Sequence, residues 1–393
     1  MEYLLDSYAP EPGVLDSWIA NYRSIVELGD IPLHLNRSAT AEDRAVIRAL
    51  EDACETQPFT HCQQHIKANR FAIIQSLPSN PAYWAAFWEV FEHESWVNFD
   101  LERGQNTNGE QQLIQGAYWW FYRSLAKDGK VNPARLLTIQ EALNRWRSGH
   151  QPMILRMYAL AVQGIVVNQL SFAMAQASRM RAHEEIRLLS GLSQPLDVQL
   201  MSWGGVLWME REFSLRNQEL QKDSYTEEDI RQALGMVPDD LYGESLKLLM
   251  SQPKAFLKKD YDDLAKQFVP ATTMSWRDYW TKGLPEINMG SETFSFMAIS
   301  APAYNSYVVN ERIANFRMFI FAALADVYAG RVSPGHPARP APEFWRWEWV
   351  EGEQQKLCLV GEVNPSTIEG SPGDMQWCVD YYSEEDVERL LIQ

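Results

Sequence analysis

The segment FTHCQQH at residues 59–65 is the stretch in which residue types and spacing point most directly to chemistry. On a helix, His61 and His65 stand four residues apart on one face, which is the spacing that pairs of metal-ligating histidines use. Cys62 is turned about 100° away from His61 on the same helix. The pair supplies two ligands, so a metal site needs a third ligand from elsewhere in the chain.

Cys62 also allows two interpretations without metal. Cys54 and Cys62 lie on either side of Gln57 and Pro58, where the chain can turn back. A disulfide between them would then join two neighbouring antiparallel helices. Alternatively, both thiols fill core positions as small hydrophobic groups. The sequence leaves metal or redox chemistry, a disulfide and plain packing open.

The two remaining cysteines, Cys358 and Cys378, form a second local pair near the C-terminus. An even number of cysteines divided into local pairs favours short-range disulfides and an oxidising compartment. Four unrelated buried thiols are the alternative.

A second candidate site combines carboxylates with tryptophans. An acid in an apolar wall has a raised pKa and can donate a proton, while flat rings stack on sugars, so Glu89 or Glu92 could serve as the acid of a helical glycosidase. A solvated helix face explains the same two glutamates. The aromatic residues expected to form the binding surface are Trp84, Trp88, Trp96, Trp119 and Trp120.

Charge and the missing motifs exclude several function classes. The formal net charge of −17 repels phosphate backbones over a Debye length of about 10 Å, so nucleic acid is excluded as a partner. The sequence has no Gly-rich phosphate loop, no GxSxG, no CxxC and no HExxH. Nothing therefore indicates a nucleotide, a cofactor or a serine nucleophile.

Helical periodicity extends through the first 330 residues and predicts a helical domain over 1–330. Within it, residues 269–303 read as a long irregular insertion. The stretch 331–342 is a Pro-rich connector, and 343–393 is expected to form a small β-rich C-terminal subdomain. The predicted fold class is mainly α, a large multi-helix bundle or array with a small antiparallel β subdomain.

Residues that alternate along the chain predict the strands of this subdomain. Trp345, Trp347 and Trp349 recur at every second residue, which is the period of a strand. KLCLVGEV at 356–363 and MQWCVDYY at 375–382 read as two more strands. A disulfide between the second pair of cysteines would join these last two strands.

The most apolar stretch, residues 153–175, is predicted to be a buried core helix. It contains four polar residues: Arg156, Gln163, Asn168 and Gln169. A membrane span needs about 20 nearly uninterrupted apolar residues, so these interruptions argue against one. The opening MEYLLDSYAPEPG has no targeting signal. Either the protein is cytosolic, or an export signal or membrane anchor precedes this numbering.

In outline the sequence resembles a group of uncharacterised proteobacterial envelope proteins, which have an N-terminal anchor, a helical body and a Pro-introduced β tail. The resemblance lies in SWIANYRSI at 17–25, the Cys54 and Cys62 pair, LRMYALAVQGIVVNQL at 155–170 and the sequence from RIANFRMFIFAALADVYAG through the tail. It implies export and tethering at the inner membrane, and it brings no activity.

Two functional hypotheses follow. The first is a non-enzymatic envelope protein that binds or scaffolds a protein or glycan partner through aromatic-rich helical surfaces, facing the periplasm. The second is a glycan-acting hydrolase that uses Glu89 or Glu92. An enzyme should place a buried carboxylate in a concave pocket facing the tryptophans, whereas a scaffold should bury those rings between helices.

Overall fold

The structure is a computed structural model that describes most of the chain. The described residues are 3–10, 40–55, 59–78, 80–92, 108–148, 153–192, 203–224, 254–275, 278, 296–342, 345–362 and 374–391. Helices predominate in these ranges, and three antiparallel strands lie near the C-terminus. The predicted fold class is therefore confirmed.

A 3-10 helix, η1 (Leu4–Tyr8), begins the described chain. The α-helices before the sheet are α1 (Ala41–Glu55), α2 (Phe59–Ala68), α3 (Arg70–Ser76), α4 (Pro81–Glu92), α5 (Asn108–Asp128), α6 (Pro133–Ser148), α7 (Met153–Arg179), α8 (His183–Gly191), α9 (Gly204–Ser224), α10 (Lys254–Thr272) and α11 (Phe296–Tyr328). The strands β1 (Trp345–Val350), β2 (Lys356–Glu362) and β3 (Asp374–Asp380) follow, and α12 (Glu384–Leu391) ends the described part.

Helix α7 is at the centre of the fold. It packs against α5, α6, α8 and α11 and also contacts α12 and β3. Val166, Leu170 and Phe172 are fully or almost fully buried on it. The segment Arg156–Arg179 is long and apolar enough to cross a membrane by length and composition, but 61% of its apolar window is buried inside the fold. Burial in the core accounts for its apolar character.

Two predicted helices are each divided in two. The periodicity from 153 to 189 predicts one helix, but the chain leaves the helix after Arg179 and α8 begins at His183. Arg181 adopts a left-handed conformation with φ 52°, and the Ala182 N–H donates to the Ala177 carbonyl at 2.9 Å, which closes the helix end. Asn69 similarly separates α2 from α3.

The helices also extend into both ends of the predicted insertion over 269–303. Helix α10 continues to Thr272 with Pro270 in its last turn, and α11 begins at Phe296. Residues 279–295 lie outside the described residues. The apolar stripe over 14–26 predicts a further helix, and that stretch also lies outside them.

The predicted ribbon is confirmed as a sheet with strand order β1-β2-β3. Cys358 lies directly opposite Cys378 in the antiparallel register. Helix α12 follows the sheet and was not predicted. A reciprocal capping pair begins it, because the Asp386 N–H donates to Ser383 Oγ at 3.2 Å and the Ser383 N–H donates to Asp386 Oδ2 at 2.8 Å.

Stacked aromatic rings join the sheet to the helical body. Phe316 of α11 lies 4.8 Å from Trp345 and 5.1 Å from Trp377, measured between ring centroids. Phe319, one turn later, stacks on Trp347 at 5.6 Å. The sheet is thus held against α11 and α7, and the division of the chain into separate domains stays a prediction.

Candidate functional site

The FTHCQQH segment contains a disulfide. Cys54 and Cys62 lie at bonding distance, with sulfurs 2.11 Å apart, and join the end of α1 to the first turns of α2. His61 is exposed, and His65 is half-buried beside the Asn69 amide. Within the described residues, no group of three His, Cys, Asp or Glu side chains could hold a metal ion. Of the interpretations left open by the sequence, the structure supports the disulfide.

The predicted acids lie on the surface of α4. Glu89 is exposed, and the Glu92 side chain is 60% exposed and pairs with Arg135 at 3.2 Å. The guanidinium of Arg135 lies over the ring of Trp88, 4.4 Å from its centroid, and Trp88 contacts Trp120 edge-on at 5.3 Å. The Glu92 carboxylate is therefore solvated and bound to a cation, not enclosed in an apolar wall.

The other predicted tryptophans contribute mainly to packing. Trp84 is half-buried, and its Nε1–H donates to the Pro78 carbonyl at 3.0 Å. Trp119 is 4% exposed and belongs to the core. Trp96 lies outside the described residues. The described rings lie mostly between helices and do not form an open platform.

A cleft of about 890 Å³ lies between the helical body and the sheet. Its walls come from the end of α1, from α5, α7 and α11, and from β2 and β3 with the residues beside them. Cys54 of one disulfide and Cys378 of the other both line it. The aromatic lining residues are Tyr118, Phe121, Tyr122, Trp377 and Tyr382. We call this space the cleft.

A neighbouring cavity of about 420 Å³, here called the side cavity, shares Gly164, Arg317 and Trp377 with the cleft. Its lining is mixed: Leu160 and Ile313 are among the apolar contributors, and Gln163 and Asn310 are among the polar ones. Arg317 is the charged side chain among its lining residues. The two cavities thus meet at a single cation.

Arg317 is half-buried on α11 and lies against α7 at Gly164. A Cβ added at Gly164 would lie 3.4 Å from Arg317 Nη1, so the absence of a side chain leaves space for the guanidinium. Within the described part of the chain, Arg317 Nε is buried and has no hydrogen-bond partner. Burial lowers the pKa of Arg317, and the charge of Asp380 opposes this effect.

Asp380, at the end of β3, is bound by other groups. Lys356 Nζ lies 3.5 Å from its carboxylate across the β2–β3 ladder. Burial raises the pKa of Asp380, and attraction to Lys356 and Arg317 opposes the rise. Lys356 is therefore the close partner of this carboxylate, and Arg317 interacts with it at longer range.

A buried polar network fixes α11 in position. Glu311 Oε1 lies 3.5 Å from Arg156 Nε on α7, and the indole N–H of Trp203 donates to Glu311 Oε2 at 2.9 Å. Arg147 of α6 donates to Asn315 Oδ1 at 3.0 Å, and burial lowers the pKa of Arg147 to about 10. These bonds tie α11 to α6 and α7 just before Arg317, so the guanidinium is held by a rigid neighbourhood.

Sequence reasoning missed the residues of the cleft, although one signal was available. Gln163, Asn168 and Gln169 interrupt the apolar run of α7, and all three line the cleft or the side cavity. Polar residues inside an otherwise apolar helix predict either buried hydrogen bonds or a wetted wall. Gly164, directly after Gln163, gave no separate signal.

No family model, no curated protein and no solved structure matches this chain. The resemblance to envelope proteins stays a prediction, and the functional argument rests on the geometry of the described residues.

Proposed function

We propose that this protein is a non-enzymatic binding protein of the bacterial envelope that holds a protein or glycan partner in the cleft. The observation that carries the proposal is the cleft itself, whose volume of about 890 Å³ falls in the range of about 300–1,000 Å³ typical of ligand sites. Its lining mixes aromatic rings with amides and charged groups, as sites that orient a polar ligand do.

The two disulfides support an oxidising compartment outside the cytoplasm. Cys54–Cys62 and Cys358–Cys378 use all four cysteines of the chain, and reducing compartments rarely maintain such pairs. Location in the periplasm and tethering at the inner membrane belong to the proposal, and the resemblance to envelope proteins supports them. A cytosolic protein would carry four free thiols instead.

The geometry favours binding over glycan hydrolysis. A glycosidase acid needs an environment that raises its pKa, but Glu92 is exposed and bound to Arg135. Inside the cleft, burial raises the pKa of Asp380, and the ion pair of its carboxylate with Lys356 at 3.5 Å opposes that rise. Glu92 and Asp380 each form an ion pair, and ion pairs of this kind support the structure of the surface or of the cleft wall.

The test is capture of a partner from the native envelope fraction by the immobilised full-length chain and two variants. Gly164→Leu should fill the junction of the two cavities without breaking α7, because leucine is the better helix former. Glu92→Gln is the matched control at the alternative site. We expect the retained component, protein or glycan, to be lost with Gly164→Leu and kept with Glu92→Gln.

The opposite pattern would favour the hydrolase. If Glu92→Gln accumulates an uncleaved glycan that the wild-type protein turns over, the binding proposal is wrong.

Alkylation of thiols in intact cells, followed by mass determination, tests whether the protein is in an oxidising compartment. Four alkylated cysteines would contradict an oxidising location.

A further inference from the structure

We propose that the ligand of the cleft is an extended peptide segment ending in a free carboxylate, with Arg317 holding the carboxylate and β3 pairing with the peptide backbone. This inference rests on the proposed binding function and names its ligand class. Three features of the described residues carry it: an arginine whose buried Nε has no hydrogen-bond partner, an edge strand beside the cleft, and a side cavity with one apolar wall.

The first feature is Arg317, whose buried Nε has no hydrogen-bond partner within the described residues. A half-buried cation loses hydration, and this loss is compensated when a carboxylate accepts hydrogen bonds from the guanidinium. Among the described residues, Asp380 is the carboxylate that attracts Arg317, but Lys356 already pairs with it. A ligand carboxylate at the junction of the two cavities would accept the bidentate bonds that arginine is shaped to donate.

The second feature is the edge of β3 that faces away from β2, beside which the described residues place no further strand. In the sheet order β1-β2-β3, this strand pairs on one side with β2. The Cα atoms of Cys358 and Cys378 are 4.1 Å apart, close to the short spacing of about 4.5 Å that marks pairs without mutual backbone hydrogen bonds. The backbone N–H and C=O of Cys378 therefore point away from β2, and so do those of Gln376 two residues earlier.

Asp380 confirms this alternation, because it follows Cys378 by two residues. Its N–H donates to Asn168 Oδ1 at 3.4 Å, and its carbonyl accepts from Ser171 Oγ at 2.5 Å. Helix α7 thus satisfies the outward backbone groups at the end of β3. Gln376 and Cys378 both line the cleft, and an extended peptide can use their outward groups in the same way.

The third feature is the side cavity, which opens beside Arg317. Leu160 and Ile313 give it an apolar wall, and its volume is about 420 Å³. A peptide whose carboxylate lies at Arg317 places its last side chain next to that cation. We therefore expect the terminal residue to be apolar and to enter the side cavity.

The charges of the cleft and of the whole chain favour a ligand with one carboxylate over a polyanionic ligand. Among the described residues, two cations and two carboxylates line the cleft: Arg317, Lys356, Glu353 and Asp380. Because the whole chain has a formal net charge of −17, a ligand rich in phosphate is repelled at long range. A single carboxylate on an otherwise neutral segment matches Arg317, the cation among the described cleft residues for which no ion pair within 4 Å is found.

The experiment uses the full chain and two randomised pentapeptide mixtures that differ only at the C-terminus, one with a free carboxylate and one amidated. Sequences retained from the first mixture are resynthesised in both forms, and their dissociation constants are measured by calorimetry. We expect the free acid to bind about 10- to 100-fold more tightly than its amide, as for hydrogen bonds to a charged group.

Substitutions test whether Arg317 causes the difference in Kd between the free acid and the amide. Arg317→Gln should raise the Kd of the acid to that of the amide, and Arg317→Lys should restore part of the difference. Arg48→Gln, which removes the charge of an exposed arginine on α1, should leave both constants unchanged. Because no close ion pair is lost, Arg317→Gln should leave the urea midpoint within error of wild type.

Several outcomes would overturn the inference. If acid and amide bind equally, yet Gly164→Leu abolishes both, the carboxylate proposal falls and binding in the cleft stands. If no peptide is retained while an envelope component is still lost with Gly164→Leu, the ligand class is wrong and the proposed function survives. If peptides bind equally well to Gly164→Leu, both proposals fail. A large drop in the urea midpoint with Arg317→Gln would assign Arg317 to structural support.

Discussion

Removing the disulfides one at a time tests how the two cysteine pairs stabilise the fold. Cys54–Cys62 closes a loop with a sequence separation of 8, and Cys358–Cys378 closes one of 20. The loop-entropy relation gives about 2.5 kcal/mol for the shorter loop and about 3.3 kcal/mol for the longer one at 25 °C. We therefore expect Cys358→Ala/Cys378→Ala to cost more than Cys54→Ala/Cys62→Ala.

The loss of local packing adds to the stability losses calculated for the two double variants. Cys62 and Cys358 are fully buried, so each alanine also removes a sulfur from the core and adds the cost of a small cavity. The assay is urea denaturation of wild type and both double variants, with and without a thiol reductant. The reductant controls for cavity effects, because it opens the disulfide without shortening the side chain.

Each double variant should lose stability in reductant by the amount of its remaining disulfide. Reduced wild type should lose about 5–6 kcal/mol in total if the two loops contribute independently. If reductant leaves the urea midpoint of wild type unchanged, the covalent links do not stabilise the fold. The argument for an oxidising compartment would then lose its physical basis.

Three further substitutions test other parts of the structure. Gly204→Ala places a Cβ 2.3 Å from the ring of Tyr8, so we expect a loss of about 1–3 kcal/mol in urea denaturation and faster amide exchange in η1. Glu311→Gln removes the buried partner of Arg156 and should cost about 3–5 kcal/mol in the same assay. A cost below about 1 kcal/mol, which is typical of surface substitutions, would refute the buried ion pair. Burial raises the pKa of Asp380 above 3.8, so its stabilising contribution is complete below that pH and is lost as pH rises through the raised pKa. The stability of wild type relative to Asp380→Asn should therefore fall as the pH rises above about 4, and an increase would contradict the raised pKa.

The sheet and its disulfide could be predicted because their signals are local. Trp345, Trp347 and Trp349 alternate in the sequence, and β1 has that period in the structure. Cys358 and Cys378 lie in two short apolar runs separated by turn-forming residues, so antiparallel pairing brings them opposite each other. Side chains of period two fix the register once one face is buried.

Helix boundaries were harder to predict where the usual end signals are missing. A helix end with a left-handed residue normally carries glycine at that position. Here Arg181 takes the conformation with φ 52°, so the sequence offers no glycine to mark the end of α7. The bonds that end the helix come from neighbouring backbone groups, and those are visible only in three dimensions.

The candidate site depends on contacts that are remote in the sequence. Gly164 and Arg317 belong to different helices, and neither has a recognisable spacing to Gln376 or Lys356 of the sheet. Arg317 is one of four charged residues in a largely apolar helix, and such a residue predicts burial or function without saying which. The polar positions of α7 fit either buried hydrogen bonds or a cavity wall, and only the packing of α7 against α11 and β3 shows which of them face a cavity.

The most direct test of the cleft as the functional surface is photo-crosslinking in intact cells. Gln376 lines the cleft and is exposed, whereas Phe71 is 81% exposed on α3 and does not line the cleft or the side cavity. Replacing each in turn with a photoreactive phenylalanine should give a discrete adduct from Gln376 and none from Phe71. Adding Gly164→Leu should remove that adduct. An adduct that forms from Phe71 instead, or one from Gln376 that survives Gly164→Leu, would contradict binding in the cleft.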